Sequence, residues 1–232
     1  YVAGGTGGLS VLDVSDPGAP NRIGLYRPDV DEYTDLADVV LSGTLAYVAD
    51  SSSGGGLRVI DVSTPMTPTQ IGICATPGSG LGVAVAGRYA YIADGSSGLR
   101  VVDVFTSTAP AEVAAYDTPG YAVGVALVGD YAYVADYTGG LVVIDVSVPT
   151  TPTLAGVYDS PGYAQDVAVV GNTAYVADIT HGLRVVDLST PTAPVEIGFC
   201  DTPGSAYGVA VDGERAYVAD AERGLRAIDV SA

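Results

Sequence analysis

The chain has 232 residues and a formal net charge of −18, and its nine basic residues are all arginine. Such a negative field repels phosphate backbones, which proteins bind by neutralising them with Lys and Arg, so general nucleic-acid binding is excluded. No apolar run approaches the roughly 20 residues of a membrane-spanning helix, so no transmembrane segment is predicted.

Six repeats of similar length follow one another along the chain. The marker YVAD, or its variants YIAD and YVAG, begins at Tyr1, Tyr47, Tyr91, Tyr133, Tyr175 and Tyr217. A second marker of the type LRVIDVS follows each of them. A period near 42 residues without helical periodicity indicates four short strands per unit, which is the size of a propeller blade. Residues 1–232 are therefore predicted to form a single all-β propeller domain of antiparallel blades.

The repeat that starts near Tyr121 shows the four strands in order. AVGVALV is an apolar run that predicts a strand buried on both faces, and YAYVAD predicts a second strand rich in β-formers. LVVIDVS is the third strand, and TLAGVYD, after a Pro-containing turn, is the fourth and most polar. We call these strand positions A, B, C and D, with A innermost and D at the outer edge.

The chain begins at strand B of its first repeat and stops after strand C of its sixth, so the first and last blades are incomplete in this chain. Six blades are predicted, with seven or eight in a longer parent protein as the alternative. An unclosed seam would leave strand edges exposed, and such edges invite association. The opening on Tyr1, without Met, predicts a fragment or a processed segment.

The markers GL-R-V-[IV]-D-[VL]-S-x-P and G-x-x-A-Y-V-A-D resemble the LVIVD repeat family of bacterial and archaeal β-propellers. The resemblance covers essentially the whole chain, since six registers agree. Members of that family are typically surface or secreted proteins of unsettled activity. The resemblance therefore implies a prokaryotic extracellular or cell-surface location and a scaffold, and it implies no reaction.

Residues that recur in most repeats are assigned structural roles, because a unique site breaks a repeat. The Asp of YVAD is predicted to accept backbone N–H groups of the following turn. The Asp of IDVS lies within an apolar strand and is predicted to need buried partners. The Arg of GLRV is predicted to face the YVAD Asp across the B–C hairpin. The YVAD tyrosines are predicted to pack between blades.

The two cysteines, Cys74 and Cys200, occupy one repeat position three blades apart, so no disulfide is predicted. His181 is the only histidine and is predicted to be an ordinary turn residue. No catalytic residue is assigned.

The stretch RPDVDEYTDLAD is a D-to-A loop with four more residues than its counterparts. Three interpretations compete: a Ca²⁺ site, a partner-recognition element and a solvated acidic loop. The Ca²⁺ site, the only cofactor considered, would use Asp29, Asp31, Glu32 and Asp35. D–A and B–C loops share one face, and its candidate binding residues are Asp29, Asp31, Glu32, Tyr33, Asp35, Tyr137, His181 and Arg223.

The leading functional hypothesis is a non-enzymatic scaffold that binds a protein or glycan partner at the cell surface or in the extracellular space. The alternative is an enzyme, or a small-ligand or Ca²⁺-binding propeller, with a polar site at the mouth of a central channel. A purely structural spacer within a larger surface protein is a third hypothesis.

Overall fold

The computed structural model describes residues 1–28 and 34–231 of the chain. Apart from one 3₁₀ turn over Ala221–Arg223, the regular structure of these residues consists of β-strands in six antiparallel sheets. The first and last sheets have three strands and the other four have four, so the prediction of an all-β six-bladed propeller with incomplete end blades is confirmed. No helix within the described ranges is long and apolar enough to span a bilayer.

The chain divides into two compact units, Tyr1–Ala114 and Ala115–Ala232. The first sheet contains β1 (Val2–Ala3), β2 (Leu9–Asp13) and β3 (Asn21–Tyr26). The second sheet contains β4 (Leu36–Ser42), β5 (Leu45–Asp50), β6 (Gly56–Asp61) and β7 (Thr69–Ala75). The third contains β8 (Gly82–Ala86), β9 (Tyr89–Ala93), β10 (Leu99–Asp103) and β11 (Ala111–Tyr116), and the boundary between the units falls within β11.

The second unit contains the other three sheets. The fourth sheet is formed by β12 (Gly124–Val128), β13 (Tyr131–Ala135), β14 (Leu141–Asp145) and β15 (Thr153–Tyr158). The fifth is formed by β16 (Ala164–Val170), β17 (Thr173–Asp178), β18 (Gly182–Asp187) and β19 (Val195–Cys200). The sixth is formed by β20 (Gly208–Asp212), β21 (Arg215–Ala219) and β22 (Leu225–Asp229). Strands follow one another in space as in sequence, so each repeat is an antiparallel meander.

The core lies on the two middle strands of the complete sheets. Strands β13 and β14 are buried along almost their whole length, whereas β12 is mostly half-buried. The prediction that strand A is buried on both faces is therefore wrong for this repeat. The reason is its position, since A is an edge strand of its own sheet while B and C have a neighbour on each side.

Within each unit the sheets pack face against face through apolar side chains. Tyr47, Leu57 and Val59 of the second sheet lie in one cluster with Val83 and Ile92 of the third. A similar cluster joins Tyr133 and its neighbours to the fifth sheet. The YVAD tyrosines Tyr47 and Tyr133 thus pack between blades, as predicted. Each fully buried aliphatic or aromatic side chain contributes roughly 1.5–3 kcal/mol.

A glycine in strand D receives the turn of the following sheet. A Cβ atom at Gly24 would lie 1.9 Å from the carbonyl oxygen of Pro65, and one at Gly156 would lie 2.5 Å from that of Pro191. Both oxygens belong to the turn between strands C and D of the next sheet. A side chain at Gly24 or Gly156 would therefore push the two sheets apart, whereas the third repeat has Ala114 at the equivalent position of β11.

Candidate functional site

The D–A loops of the repeats are fixed by the carboxylates of the YVAD motif. In the second unit, Asp136 accepts hydrogen bonds from the Thr118 hydroxyl and from the Gly120 amide, whose nitrogen is 2.6 Å away. Asp178 accepts from the amides of Gly162 and Tyr163, both at 2.9 Å. These aspartates are completely buried, as are their counterparts in the other repeats, Asp50, Asp94 and Asp220. In the four D–A loops that have a T-P-G or S-P-G segment, the amide of its glycine donates to a buried carboxylate.

The YVAD aspartate Asp50 accepts the amide of Ser52 in the following turn at 3.0 Å, as predicted, but the IDVS aspartates do not have the buried position that the sequence predicted. The Asp of IDVS ends strand C near solvent, and its carboxylate accepts the amide of the residue two positions later. Asp61 accepts from Ser63 at 2.8 Å, and Asp145 accepts from Ser147 at 2.9 Å. Hydrogen bonds from these two serines lower the pKa of both carboxyls. The IDVS residue therefore makes the local turn, while the YVAD residue is the buried carboxylate.

The predicted Arg–Asp ladder is present in part. Arg58 Nε lies 2.6 Å from Asp50 Oδ2, and Arg226 Nε lies 3.1 Å from Asp220 Oδ2. The corresponding Arg100 pair is wider, at 3.7 Å. Arg184 departs from the pattern and contacts Asp201 of the next D–A loop, as described below.

The pKa values of Asp50 and Asp136 are shifted in opposite directions. Desolvation acts to raise the pKa of Asp50, but hydrogen bonds from Ser52, Arg58 and the Asp35 amide outweigh it, so the pKa is lowered. At Asp136 the repeat has Val142 in place of the arginine. Desolvation there outweighs the hydrogen bonds from Thr118 and Gly120, so the pKa of Asp136 is raised.

Tyr137 occupies a strained position in the B–C loop of the fourth sheet. Its φ of +50° lies in the left-handed region, where the equivalent Gly5 and Gly95 both have φ of +57°. Its amide and carbonyl pair with Ala164 at 2.9 and 3.1 Å, which ties this loop to the next sheet. Its ring stacks on that of Tyr163, with centroids 4.6 Å apart and an interplanar angle of 16°.

Further tyrosines are exposed along the same loops of the second unit. Tyr121 is 40% exposed, Tyr163 38% and Tyr207 52%. Each lies in or directly beside a D–A loop, and the Tyr121 amide donates to the Asp136 carbonyl at 3.1 Å. We call Tyr121, Tyr137, Tyr163 and Tyr207 the tyrosine face. Aromatic side chains with a polar tip are common at recognition surfaces.

His181 lies beside the tyrosine face in the B–C turn of the fifth sheet. Its Nδ1 is 2.9 Å from the Thr180 hydroxyl and 3.6 Å from Asp178 Oδ1, and its side chain is 42% exposed. The distance to Asp178 exceeds a hydrogen bond, so the two do not form a hydrogen-bonded His–carboxylate pair. The neighbouring Arg184 donates to the His181 carbonyl at 2.8 Å and to Asp201 at 2.6 Å, which fixes this turn against the next D–A loop.

The remaining predicted site residues are spread over both units. Arg223 is exposed in the 3₁₀ turn that replaces the B–C turn of the sixth sheet. Asp35 lies in the first unit, where its carbonyl accepts from the amide and hydroxyl of Ser51 at 2.9 and 3.0 Å. The structure thus places Tyr137 and His181 on adjacent loops, with Arg223 in the following turn and Asp35 in the other unit.

The calcium prediction falls mostly outside the described residues. Asp29, Asp31, Glu32 and Tyr33 lie outside them, and only Asp35 of the predicted ligand set lies within them. Over residues 1–28 and 34–231, no three His, Cys, Asp or Glu side chains are grouped so as to hold a metal ion. Calcium binding by the acidic loop stays a prediction.

The sequence pattern of one family matches the chain in six consecutive segments. The LVIVD repeat covers residues 1–27, 35–76, 77–118, 119–160, 161–202 and 203–232. The chain belongs to the LVIVD repeat family. No curated protein matches it.

Solved structures share the fold of this LVIVD-repeat protein at very low identity. A chain of the mitotic checkpoint complex superposes with a TM-score of 0.80 at 12% identity, covering 97% of this chain and 71% of that one. A functionally unknown protein from Desulfotomaculum acetoxidans gives 0.74 at 13%, covering 97% and 76%. The computationally designed protein Ika8 gives 0.68 at 7%, covering 90% of this chain and 62% of its own length. These similarities show the fold alone.

Sequence reasoning missed the exposed tyrosines of the D–A loops. The signal was available, because Tyr121 and Tyr163 stand where other LVIVD repeats have Ser79 and Ser205. A departure from the repeat at an exposed loop position is a stronger functional pointer than a residue found in every unit. The prediction concentrated on the longest loop and so overlooked these single substitutions.

Proposed function

We propose that this LVIVD-repeat propeller is a non-enzymatic binding scaffold that contacts a protein or glycan partner through its tyrosine face. The observation that carries the proposal is the stack of the Tyr137 ring on the exposed Tyr163 ring, with centroids 4.6 Å apart. A left-handed conformation costs a non-glycine residue about 1 kcal/mol or more. Glycine serves the same turn in two other repeats without that cost. Ala221 has the same left-handed conformation in the sixth sheet, with φ of +44°, so the ring stack on Tyr163 is what distinguishes Tyr137.

The loops that carry the tyrosine face are rigid, which favours binding. Asp136 and Asp178 hold the D–A loops from below, and the Tyr137–Ala164 backbone pair joins neighbouring sheets. A surface ordered before binding loses less conformational entropy when the partner arrives. Tyrosine adds large contact area with only two side-chain torsions to restrict.

The chemistry of the surroundings narrows the class of partner. An exposed acidic residue stands at the start of each D–A loop of the second unit, namely Asp117, Asp159 and Asp201. Tyrosine rings next to carboxylates suit ligands that present apolar C–H faces together with hydroxyl groups or cations. A glycan combines apolar C–H faces with hydroxyl groups. A protein surface with Arg or Lys beside apolar side chains combines apolar faces with cations.

An extracellular or cell-surface location forms part of the proposal. It is supported by the acidic composition and by the absence of lysine. It is also supported by the surface or secreted location that is typical of LVIVD-repeat proteins. Fractionation of the source cells with an antibody against the chain would test it. Recovery in the surface or medium fraction supports the location, and recovery in the cytoplasm contradicts it.

The binding proposal is tested by screening the chain against a glycan array and against surface proteins of the source organism. The partner found is then titrated with Tyr121→Ser/Tyr163→Ser/Tyr207→Ser. The matched control is Met66→Ser/Phe105→Ser/Val148→Ser, which removes three exposed side chains from the turns between strands C and D. A loss of affinity confined to the tyrosine variant supports the proposal. Equal affinities for both variants contradict it.

A further inference from the structure

Among the buried YVAD carboxylates, that of Asp178 in the fifth sheet has an unusual set of partners. In the fourth sheet the Asp136 carboxylate accepts a hydrogen bond from the hydroxyl of Thr118 in the preceding D–A loop. The fifth repeat has Ser160 at that loop position, and its Oγ is buried without a hydrogen-bond partner among the described residues. Within the same residues no hydroxyl donates to Asp178, whose recorded donors are backbone amides.

The arginine that accompanies such a carboxylate is also directed elsewhere in the fifth sheet. In the second sheet Arg58 Nε lies 2.6 Å from Asp50 Oδ2. The equivalent Arg184 donates to Asp201 of the following D–A loop, at 2.6 Å. A buried carboxylate is costly unless partners compensate for its lost hydration. Asp178 is completely buried, so a cation beside it would be stabilising.

The imidazole of His181 lies next to this carboxylate. Its Nδ1 is 3.6 Å from Asp178 Oδ1 and 2.9 Å from the Thr180 hydroxyl. The first distance is too long for a hydrogen bond, but two opposite charges at that separation attract strongly beside a buried site. The imidazole is also a departure from the repeat, since the same position holds Gly7, Ser97, Gly139 and Arg223 in other sheets.

The D–A loop that carries Tyr163 rests on the same side chains. A Cβ atom added to Gly162 would lie 1.9 Å from Asp178 Oδ1, 2.3 Å from Thr180 Oγ1 and 2.6 Å from His181 Nδ1. The amides of Gly162 and Tyr163 both donate to the Asp178 carboxylate at 2.9 Å. Tyr163 belongs to the tyrosine face. A charge gained by His181 therefore acts on the carboxylate that holds the backbone of an exposed tyrosine.

Acidic groups predominate around His181. The charged and titratable side chains of the strands and loops that surround it are Asp178, Arg184, Glu196, Asp201, Asp159 and Tyr163. Arg184 is paired with Asp201, and Glu196 accepts a hydrogen bond from the Tyr158 hydroxyl. Four carboxyl groups thus accompany one guanidinium. Imidazole is the side chain whose ordinary titration falls between roughly pH 5 and pH 8, so mild acid adds a second cation to this group.

We propose that His181 and Asp178 form a pH-sensitive contact that holds the D–A loop of Tyr163 more firmly in mild acid. With the loop closed, Asp178 is out of water, and an imidazolium beside it lowers the cost of burying its charge. The neutral imidazole gives no such compensation, so the loop opens more often at higher pH. The contact should consequently strengthen binding by the tyrosine face in mild acid. That consequence rests on the proposed function, whereas the contact itself does not.

A pH titration of the ¹⁵N-labelled chain by NMR tests the contact without any partner. The chain has one histidine, so the ring signals belong to His181. Between about pH 8 and pH 5 the amide signals of Gly162 and Tyr163 should shift with the same midpoint as that ring. Their hydrogen-exchange protection factors should rise about two- to fivefold. The Gly204 amide, which donates to Asp220 in the sixth sheet, should show no such change.

Two variants at one position separate charge from shape. His181→Gln keeps a neutral polar side chain and should remove the pH response of both amides. His181→Arg introduces the residue that the sixth repeat has at Arg223, and it should hold the protection factors at the high value throughout the titration. The His181 side chain is 42% exposed, so neither change disturbs a packed core.

Two results would overturn the proposed contact. The first is a titration of His181 that leaves the Gly162 and Tyr163 amides unchanged. The second is a response of these amides that persists in His181→Gln, because another group would then cause it.

The consequence for binding is measured separately, with the partner that the screen of the tyrosine face identifies. The affinity of the parent chain should be about two- to fivefold higher near pH 5.5 than near pH 7.5, and that of His181→Gln should not change in this way. The same pH dependence in both chains would overturn the link to binding. The NMR titration uses no partner, so failure of the tyrosine face to bind is distinguishable from failure of the contact.

Discussion

Strands β14 and β22 carry almost the same motif, LVVID and LRAID, in opposite surroundings. Leu141 is completely buried at the start of β14, whereas Leu225 is 73% exposed at the start of β22. Both strands pair with strand B of their own sheet in the same register. The motif therefore specifies the strand and its hairpin, while burial is supplied by strand D and by the next repeat. This is the behaviour expected of repeat proteins, whose units are stabilised by their neighbours.

The largest expected effect separates an ion pair that is buried on both sides from one whose arginine is partly exposed. Arg58→Met leaves the Asp50 carboxylate buried without its charged partner, so we expect a loss of about 3–5 kcal/mol in the free energy of unfolding. Arg226→Met removes a partner that is 40% exposed and should cost about 1 kcal/mol or less. Urea denaturation of both variants measures the difference. Equal losses would show that β22 is as well covered as β6.

The leucine at the start of strand C gives the next contrast. Leu183→Ala creates a cavity between the fifth and sixth sheets and should cost about 2–5 kcal/mol. Leu225→Ala removes a side chain that is mostly in water, so its cost should stay within about 0.5 kcal/mol. Thermal and urea unfolding of both variants check this. A large loss for Leu225→Ala would be inconsistent with an open edge.

The strand-D glycines sharpen the comparison at the turn. Gly156→Ala places a Cβ 2.5 Å from the Pro191 oxygen and 3.0 Å from the Pro194 ring, so it should destabilise the chain by about 1–3 kcal/mol. Gly198→Ala meets only Val185 at 3.9 Å and should be neutral within about 0.5 kcal/mol. The midpoint of urea unfolding reports both. Destabilisation by Gly198→Ala would mean that another segment occupies the space beside this residue in solution.

The smallest effect concerns pH and compares two buried carboxylates. The folded-state pKa of Asp50 lies below the ordinary value of 3.8, so its contribution to stability is present above that pH and is lost as the pH falls through the lowered pKa. The pKa of Asp136 is raised, so ionisation weakens the fold above the raised pKa, and this penalty disappears as the pH falls below 3.8.

Unfolding of the parent chain, Asp50→Asn and Asp136→Asn at about pH 7 and pH 3 tests these signs. The stability advantage of the parent chain over Asp50→Asn should shrink toward pH 3. Its advantage over Asp136→Asn should grow. If the stability advantage of the parent chain changes in the same direction over both Asn variants between about pH 7 and pH 3, Arg58 and Val142 do not determine the difference between the two pKa shifts.

The sequence predicts most of the fold because its six repeats can be aligned with one another. The markers at Tyr47 and Leu57 recur with their turns, so strand order and the incomplete end sheets follow from alignment within one chain. The burial of strand A was misjudged, because an apolar run does not reveal whether its strand lies at a sheet edge. The burial of the YVAD aspartates was not predicted, because it depends on the D–A loops, which only the fold brings onto residues such as Asp50.

The candidate site was less accessible to prediction. Tyr137 was selected on its loop, but its left-handed backbone and its stack on Tyr163 depend on the pairing of adjacent sheets. Tyr121 and Tyr163 were overlooked although they replace the serines of other repeats, and the exposure of Tyr207 is a property of the assembled loops. The open space beside Gly198 became visible only by comparing equivalent glycines in three dimensions, since its sequence, EIGFC, resembles QIGIC around Gly72, where that space is filled.

The most direct test of the open edge is hydrogen exchange of the 232-residue chain without any ligand. Amides of β14 and β18 lie between two strands and should exchange only through large-scale unfolding. Amides of β22 that face the open edge should exchange orders of magnitude faster, on the timescale of exposed loops. Protection of β22 equal to that of β18 would contradict an open edge, because it would show that the edge is already paired.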